Sequence, residues 1–239
     1  MNGKVVAIVQ ARCGSSRLPG KSLRAMCGKP MVRHVLDRVS AMGFELWMAT
    51  SVSQGDDLLA AMATDWGFNV YRGSEWDVLG RIAGAAKYAE AETVIRVTAD
   101  CPLWAPDVGM AVFEQYMLST NSDVIVTNDT SMSGWPDGLD TEVFSESLLA
   151  LAAKVATDRN DREHVTPWLR RNAPHIVVGC HERWQTKVSV DTIDDFERAH
   201  AIMARIGDGS YQWKATRAAL LGQSQPRTVS TSTTGEIWQ

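Results

Sequence analysis

Hydrophobic and polar positions along the first 130 residues of this 239-residue chain fall into regular blocks. Short apolar runs predict buried strands at 4–9, 45–50, 68–71, 93–98 and 122–128. Between these runs, apolar residues return at helical spacing and predict helices at 31–42, 56–67, 76–91 and 106–119. This alternation indicates an α/β fold, in which helices cover both faces of a mostly parallel sheet.

The pattern is different after residue 130. Residues 133–145 are loop-like in composition. The elements predicted beyond them are helices at 146–156, 162–172 and 192–207 and a pair of strands at 175–182 and 185–191.

These patterns predict a single α/β domain over residues 1–207, with an inserted segment at about 130–185. Residues 208–239 form a C-terminal extension that we predict to be partly disordered. Its end is rich in Ser and Thr and can bury little apolar surface, so deletion of the tail from Gln225 onward should leave activity intact.

Composition and charge exclude several classes of protein. The formal net charge of −4 provides no basic field that would attract nucleic acid or an anionic membrane. The apolar runs are too short to span a bilayer, and no secretory signal pattern opens the chain, so we predict a cytoplasmic protein. Four cysteines lack the C-x-x-C spacing of a zinc site, and Cys13 is interpreted as a small loop residue rather than a nucleophile.

A cluster of cations directly follows the first predicted strand. The segment "QARCGSSRLPGK" (10–21) contains Arg12, Arg17 and Lys21 together with small residues. Like charges repel, so this loop is suited to an anion, and glycines and serines let backbone N–H groups approach phosphate oxygens. The loop matches neither the P-loop nor the G-x-G-x-x-G pattern. We predict a polyphosphate site in which Arg12 and Lys21 act as charge-stabilising catalytic residues.

Two aspartates follow predicted strands and are expected at the same edge of the sheet. Asp100 comes after the run 93–98, and Asp191 comes after 185–190. Mg²⁺ is usually held by one or two carboxylates together with waters and substrate phosphates, so this pair predicts a magnesium site. The alternative for Asp191 is that it caps the helix that follows it.

Seven segments in a fixed order carry a resemblance to a known family. They are "VQARCGSSRLPGKSL", "ATSVSQGDDLL", "VYRGSEWDVLGR", "VIRVTADCPL", "GLDTEVFS", "REHVTPWL" and "KVSVDTIDDFERA". Together they resemble the cytidylyltransferases, above all the branch of the spore coat polysaccharide biosynthesis protein F type, to which the Kdo and sialic acid cytidylyltransferases are related. The resemblance implies a Rossmann-like sheet of the nucleotide-diphospho-sugar transferase type. It also implies that CTP is coupled to an anionic acceptor with release of pyrophosphate, that Mg²⁺ is required, and that the protein is a homodimer.

The resemblance also assigns residues to sites. It matches Asp100 and Asp191 to the two metal-binding aspartates of the family. The nucleotide-binding residues predicted from the loop and from "RGSEWDVLGR" are Gln10, Ala11, Arg12, Gly14, Ser15, Ser16, Arg17, Lys21, Arg72, Ser74 and Arg81. An anionic acceptor needs cations of its own, and the acceptor-binding residues predicted in and beyond the inserted segment are Asp140, Arg162, His164 and Lys187.

The sequence is compatible with more than one acceptor and more than one class of reaction. The acceptor is a sugar acid, a sugar phosphate or a small phosphonate. A nucleotide-sugar glycosyltransferase would also hold a nucleotide and a metal, although it normally carries a D-x-D motif and "TAD" supplies one carboxylate. A non-catalytic nucleotide-binding protein is disfavoured because Arg12, Lys21, Asp100 and Asp191 are all present.

Overall fold

The computed structural model describes residues 3–207 and 209–222. The strands are β1 (Val5–Gln10), β2 (Ala25–Met26), β3 (Lys29–Pro30), β4 (Glu45–Ser51), β5 (Asn69–Gly73), β6 (Thr93–Thr98), β7 (Ile125–Thr127), β8 (Glu142–Ser145) and β9 (His175–Val177). The helices are α1 (Met31–Ser40), α2 (Asp57–Asp65), α3 (Val78–Tyr88), α4 (Pro106–Leu118), α5 (Thr130–Ser133), α6 (Glu146–Val155), α7 (Arg159–His164), α8 (Pro167–Asn172), α9 (Ile193–Ile206) and α10 (Trp213–Leu220).

Seven strands form one sheet in the order β5-β4-β1-β6-β8-β7-β9. Strand β1 lies at its centre and pairs in parallel with β4 and β6, and β8 is antiparallel to both of its neighbours. Successive side chains of β1 point to opposite faces, so that Ala7 and Val9 join one apolar core while Val6 and Ile8 join another. The predicted α/β fold with a mostly parallel sheet is confirmed.

Helices cover both faces of this sheet. One core contains buried residues of α1, α2 and α4, and the other contains buried residues of α3, α6 and α8. A third core lies under α9 and α10, where Val188 and Val190 pack against Phe196 and Ile202. Among the helices within the described ranges, none has both the length and the apolar character needed to cross a bilayer.

The segment 130–185 contributes to the central sheet rather than lying outside it. The prediction that 133–145 is a loop was wrong at its end, because Glu142–Ser145 forms β8 between β6 and β7. Only four residues form this strand, too few for a periodic signal in the sequence. Whether the segment is also an inserted dimerisation unit stays a prediction.

Two other elements of this segment differ from the prediction. The expected helix over 162–172 is interrupted between α7 and α8, where Val165 has a φ of 73°. The expected strand pair does not form, because β9 pairs with β7 and residue 187 makes only an isolated bridge to Asp137. Apolar runs predicted both strands, but a run does not specify its partner.

The first part of the C-terminal extension is ordered against the domain. Helix α10 packs on α9, and the buried guanidinium of Arg38 donates to the carbonyls of Trp104 and Tyr211 at 3.1 and 3.2 Å. Trp213 stacks edge-on against Trp135 and Trp184. The tail from Gln225 onward lies outside the described residues, so its predicted dispensability stays a prediction.

A buried carboxylate joins the two halves of the sheet. Glu142 of β8 is 4% exposed and pairs with Arg96 of β6 and with Arg170 of α8, the latter at 2.6 Å. It also accepts a hydrogen bond from Thr166 Oγ1 at 2.7 Å. Burial alone would raise the pKa of Glu142, but the two arginines outweigh burial and lower it. Glu142 is therefore ionised in the fold.

We expect Glu142→Gln to lower the free energy of unfolding by about 3 kcal/mol at pH 7, because two arginines lose their carboxylate. The folded-state pKa of Glu142 is depressed, so its stabilising contribution is present above the unfolded pKa of about 4.3 and is lost as the pH falls through the folded value. Urea unfolding at several pH values measures this, and the difference from wild type should shrink at acidic pH. Glu114→Gln, on the exposed face of α4, is the matched control. Equal stability of Glu142→Gln and wild type at pH 7 would contradict this role.

Candidate active site

A cavity of about 510 Å³ opens at the carboxyl ends of β1 and β6. This is where ligands bind in open parallel sheets. Its walls are formed by Gln10, Ala11, Arg12, Gly14, Ser15, Ser16, Arg17, Lys21, Ser22, Glu75, Trp76, Val78, Arg81, Thr98, Ala99, Asp100, Glu163, His164 and Asp191. The cavity therefore brings together the basic loop, both predicted metal carboxylates and one predicted acceptor residue.

The ammonium of Lys21 lies between the two aspartates. Its Nζ is 3.2 Å from Asp100 Oδ2 and 3.2 Å from Asp191 Oδ1, and it donates to the carbonyl of Val190 at 2.5 Å. Arg17 pairs with the same Asp191 oxygen at 2.8 Å. Burial would raise the pKa of Asp191, but hydrogen bonds from Lys187 and the charge of Lys21 lower it. Asp191 is thus held as a carboxylate at the cavity wall.

The chain that leads to Asp191 is positioned by close backbone contacts. Val190 N donates to the Asp100 carbonyl at 2.8 Å, which places the two aspartates side by side. Gly138 has a φ of 112°, and a Cβ there would lie 2.4 Å from Ser189 N, so only glycine permits this approach. Helix α9 is capped by Thr192, whose side chain accepts from Asp195 N in a capping box. The alternative that Asp191 serves as the helix cap was therefore wrong.

Asp56 anchors the basic loop, a role that no pattern in the sequence predicted. This carboxylate is 3% exposed and accepts from Cys13 N at 2.7 Å, from Ser51 N at 3.3 Å and from Ser51 Oγ. Burial and the nearby Asp56 raise the pKa of Cys13 to about 11, which disfavours a thiolate nucleophile. An aspartate in a Gly-Asp-Asp turn gives no sequence signal for this role, because turns are rich in aspartate.

The segment after β5 contributes one predicted nucleotide-binding residue to the cavity wall. Arg81 lines the cavity, is 3% exposed and donates to the carbonyls of Ser74 and Glu75 at 2.6 and 3.4 Å. Burial and the charge of Arg12 lower its pKa to about 10, which still leaves it cationic at neutral pH.

The other two residues predicted in this segment do not reach the cavity wall. Arg72 donates to the carbonyls of Ser51 and Ser53 and to Asp57. The Ser74 hydroxyl accepts from Asp77 N at 3.1 Å. Both side chains order the turn around the cavity, and their contact with a nucleotide stays a prediction.

A strained turn places Glu163 and His164 on the cavity wall. Val165 has φ 73° and ψ −56°, and Thr166 N donates to the His164 carbonyl at 2.9 Å, which defines a γ-turn. Val165 is fully buried, and the hydroxyl of Thr166 is bound to Glu142. Such conformations persist only where the surroundings fix them, and they concentrate at functional sites. Glu163 lies 3.9 Å from Arg12.

The remaining residues predicted to bind the acceptor do not line the cavity. Arg162 pairs with Asp77 and donates to the Ala153 carbonyl at 2.6 Å, which ties α7 to α3 and α6. The Lys187 ammonium bridges Asp191 and Asp195 at 2.8 and 2.9 Å. The carboxylate of Asp140 accepts from Gly138 N at 3.1 Å. The structure therefore places Arg162, Lys187 and Asp140 in supporting positions, and only His164 of the predicted acceptor set at the wall.

Comparison with known proteins identifies the family. A sequence profile described as "Cytidylyltransferase" matches residues 6–204. The chain belongs to the cytidylyltransferase family. It is therefore a nucleotidyltransferase, and the resemblance found in the sequence is confirmed.

Individual relatives agree with this family. The chain is 31% identical over 218 residues to the spore coat polysaccharide biosynthesis protein SpsF of Bacillus subtilis, an alignment that covers 85% of this chain and 88% of that protein. It is 35% identical over 158 residues to the 3-deoxy-manno-octulosonate cytidylyltransferase of Geobacter metallireducens, covering 65% and 58% of the two chains. A cytidylyltransferase structure from Leptospira borgpetersenii superimposes with a TM-score of 0.87 at 24% identity, covering 92% of this chain and 95% of that one.

The contacts of Lys21 and Arg12 predict different phenotypes for their removal. Both Lys21→Ala and Arg12→Ala should weaken CTP binding about tenfold, because each removes a positive charge from the predicted polyphosphate site. Lys21→Ala should also lower the melting temperature, since Asp100 and Asp191 would lose the ammonium that lies between them. Arg12→Ala should leave the melting temperature unchanged, because its only ion pair in the described residues is long and partly exposed.

Calorimetric titration with CTP and thermal unfolding measure the two effects, with Lys87→Ala on the exposed surface of α3 as the control. Unchanged CTP affinity in either variant would refute the role given to that residue.

Proposed function

We propose that this enzyme is a Mg²⁺-dependent cytidylyltransferase that couples CTP to the hydroxyl group of a sugar acid. The single observation that supports it most is the meeting of the basic loop with Asp100 and Asp191 in one cavity. The relative named for 3-deoxy-manno-octulosonate supports a sugar acid as the acceptor, and the relative named for spore coat polysaccharide supports a role in polysaccharide biosynthesis. The homodimer and the cytoplasmic location inferred from the sequence stay predictions.

The donor set at the cavity wall fits a divalent ion. Oxygens of Asp100 and Asp191 both lie 3.2 Å from one nitrogen, so the two carboxylates already converge on a single cation. No group of three or more potential metal-ligating side chains occurs in the described part of the chain. Two carboxylates completed by phosphate oxygens and water suit Mg²⁺. When bound, Mg²⁺ would supply charge neutralisation at the phosphates.

The chain's own residues would position the nucleotide and stabilise charge. Arg12, Arg17 and Lys21 bind the triphosphate, and the loop N–H groups add donors. The acceptor hydroxyl oxygen forms a bond to the α-phosphorus and releases its proton to water. At the same time the bond from the α-phosphorus to the bridging oxygen breaks, and pyrophosphate leaves with that electron pair. Lys21 and Arg12 stabilise the charge that develops on the leaving group, and loss of either should slow turnover by about two to three orders of magnitude.

The charge of the cavity favours a hydroxyl nucleophile over a dianionic one. Four cationic side chains and four carboxylates line it, so its side chains sum to zero when His164 is counted as neutral. The cations predicted for the acceptor are paired elsewhere, Arg162 with Asp77 and Lys187 with Asp191 and Asp195. A phosphate or phosphonate acceptor would add two negative charges beside bound CTP, and neither Arg162 nor Lys187 is unpaired to receive them. A sugar acid brings one negative charge and a neutral hydroxyl.

A pyrophosphate-release screen tests this function. Each of CTP, UTP, ATP and GTP is incubated with Mg²⁺ and with 3-deoxy-manno-octulosonate, N-acetylneuraminate, glucose 1-phosphate or 2-aminoethylphosphonate. We expect release with CTP and a sugar acid. Pyrophosphate release only with the phosphonate, or only with the sugar phosphate, would show that the acceptor belongs to that class and is not a sugar acid. Equal release with all four nucleotides would defeat the cytidine assignment.

Substitution of Asp100 or Asp191 should change the Mg²⁺ dependence of CTP binding, whereas substitution of an exposed acidic residue elsewhere should not. We expect Asp100→Asn and Asp191→Asn to raise the Mg²⁺ concentration for half-maximal CTP binding about tenfold, which equals about 1.4 kcal/mol, with Asp100→Asn the more severe. Titration of Mg²⁺ at fixed CTP measures this, and Asp123→Asn on the exposed surface is the control. A magnesium curve identical to wild type in either variant would remove that residue from the metal site.

A further inference from the structure

Trp76 exposes a large aromatic surface at the wall of the cavity. Its side chain lines the cavity, yet the residue is 71% exposed. Leaving an indole face in water forfeits the apolar burial that tryptophan usually contributes. Exposed aromatic residues at the wall of a polar cavity commonly serve to stack on a ligand ring. No spacing or motif in the sequence predicts a role for this residue.

The turn that carries Trp76 is rigidly held. Asp77 N donates to Ser74 Oγ at 3.1 Å, and Asp77 Oδ1 accepts from Gly80 N at 2.8 Å to cap α3. Arg81 donates to the carbonyls of Ser74 and Glu75, and Arg162 pairs with Asp77. The backbone on both sides of Trp76 is therefore fixed. A fixed backbone makes the indole a pre-organised surface that costs little entropy when a ligand binds.

The position of Trp76 in the sheet order indicates which part of the nucleotide would lie next to it. Its turn follows β5 at one edge of the sheet, whereas Asp100 follows β6 on the other side of β1. The phosphate loop after β1 lies between them. The α-phosphorus and the attacking acceptor must meet near the aspartates, so the opposite end of the nucleotide is directed toward the turn. That end is the planar base.

Arg81 provides a second observation at this end of the cavity. It is 3% exposed and lines the cavity, and its Nε has no hydrogen-bond partner among the described residues. A buried donor without a partner is costly unless a ligand supplies an acceptor. The Watson–Crick edge of cytosine presents acceptors at O2 and N3, which suit a guanidinium that only donates.

We propose that Trp76 is a stacking platform for the nucleobase, with Arg81 facing the edge of that base. This inference rests on the proposed function, since it takes CTP as the ligand. Trp76 touches the base and not the phosphates, so it sets affinity for nucleosides without affecting binding of the phosphate chain.

Isothermal titration tests this inference on the full chain. We expect Trp76→Ala to raise the dissociation constants of CTP and CMP by about tenfold, since the stacking of one base on an aromatic ring contributes on this scale. Trp76→Phe keeps a π-face and should stay within about twofold of wild type. Pyrophosphate should bind all variants equally. Leu118→Ala, 76% exposed on α4 away from the cavity, is the control for loss of an exposed apolar side chain.

Tryptophan fluorescence distinguishes loss of base stacking from a non-specific structural effect of the substitution. CTP should quench wild-type tryptophan emission more than that of Trp76→Phe, because a stacked base quenches the indole. Unchanged CTP affinity in Trp76→Ala, or an equal loss of pyrophosphate binding, would overturn the inference. A raised acceptor KM with unchanged CTP affinity would place Trp76 at the acceptor and also overturn it. A wild-type protein that binds no nucleotide would instead overturn the proposed function, and the base platform with it.

Discussion

The candidate active site depends on one pair of contacts, in which Lys21 forms ion pairs with both Asp100 and Asp191. These residues are separated by 79 and 170 positions in the chain, and they come from the basic loop, the end of β6 and the start of α9. Two carboxylates that contact the same ammonium repel each other, and the positive charge between them offsets that repulsion. The ammonium therefore links three segments of the chain at the wall of the cavity.

A second set of charged residues links segments of the chain within the central sheet. Gln10, at the end of β1, accepts from Arg96 at 3.0 and 2.9 Å, and Arg96 pairs with Glu142. Glu142 in turn holds Thr166, which follows the γ-turn beside His164. The chain of contacts links one wall of the cavity to another through a strand only four residues long. A buried polar network of this kind fixes relative positions more strongly than apolar contacts alone.

The sequence predicted the first half of the fold and the core of the site well, for a physical reason. Strands β1, β4 and β6 and their helices bury full apolar faces, so their periodicity is strong. Asp100 and Lys21 follow buried strands, and the ends of parallel strands meet at one edge. The positions of Arg162 and Lys187 relative to the cavity were harder to predict, because the sequence does not reveal whether a cation is already paired with a carboxylate from another segment. Asp56 and Trp76 were missed because neither belongs to a recognisable spacing.

The loop cations differ in how firmly they are held, and this difference suits a site that must exchange partners. The Arg17 side chain is 63% exposed, and the pair of Arg12 with Glu163 spans 3.9 Å, so both ion pairs are screened by water and contribute little to stability. Phosphate oxygens can replace these carboxylates at small cost. Lys21 is shielded and has three acceptors, so its charge stays at a fixed position in the cavity wall. In the proposed function Lys21 would therefore act on the phosphates from a fixed position, whereas the two arginines could exchange their carboxylate partners for phosphate oxygens.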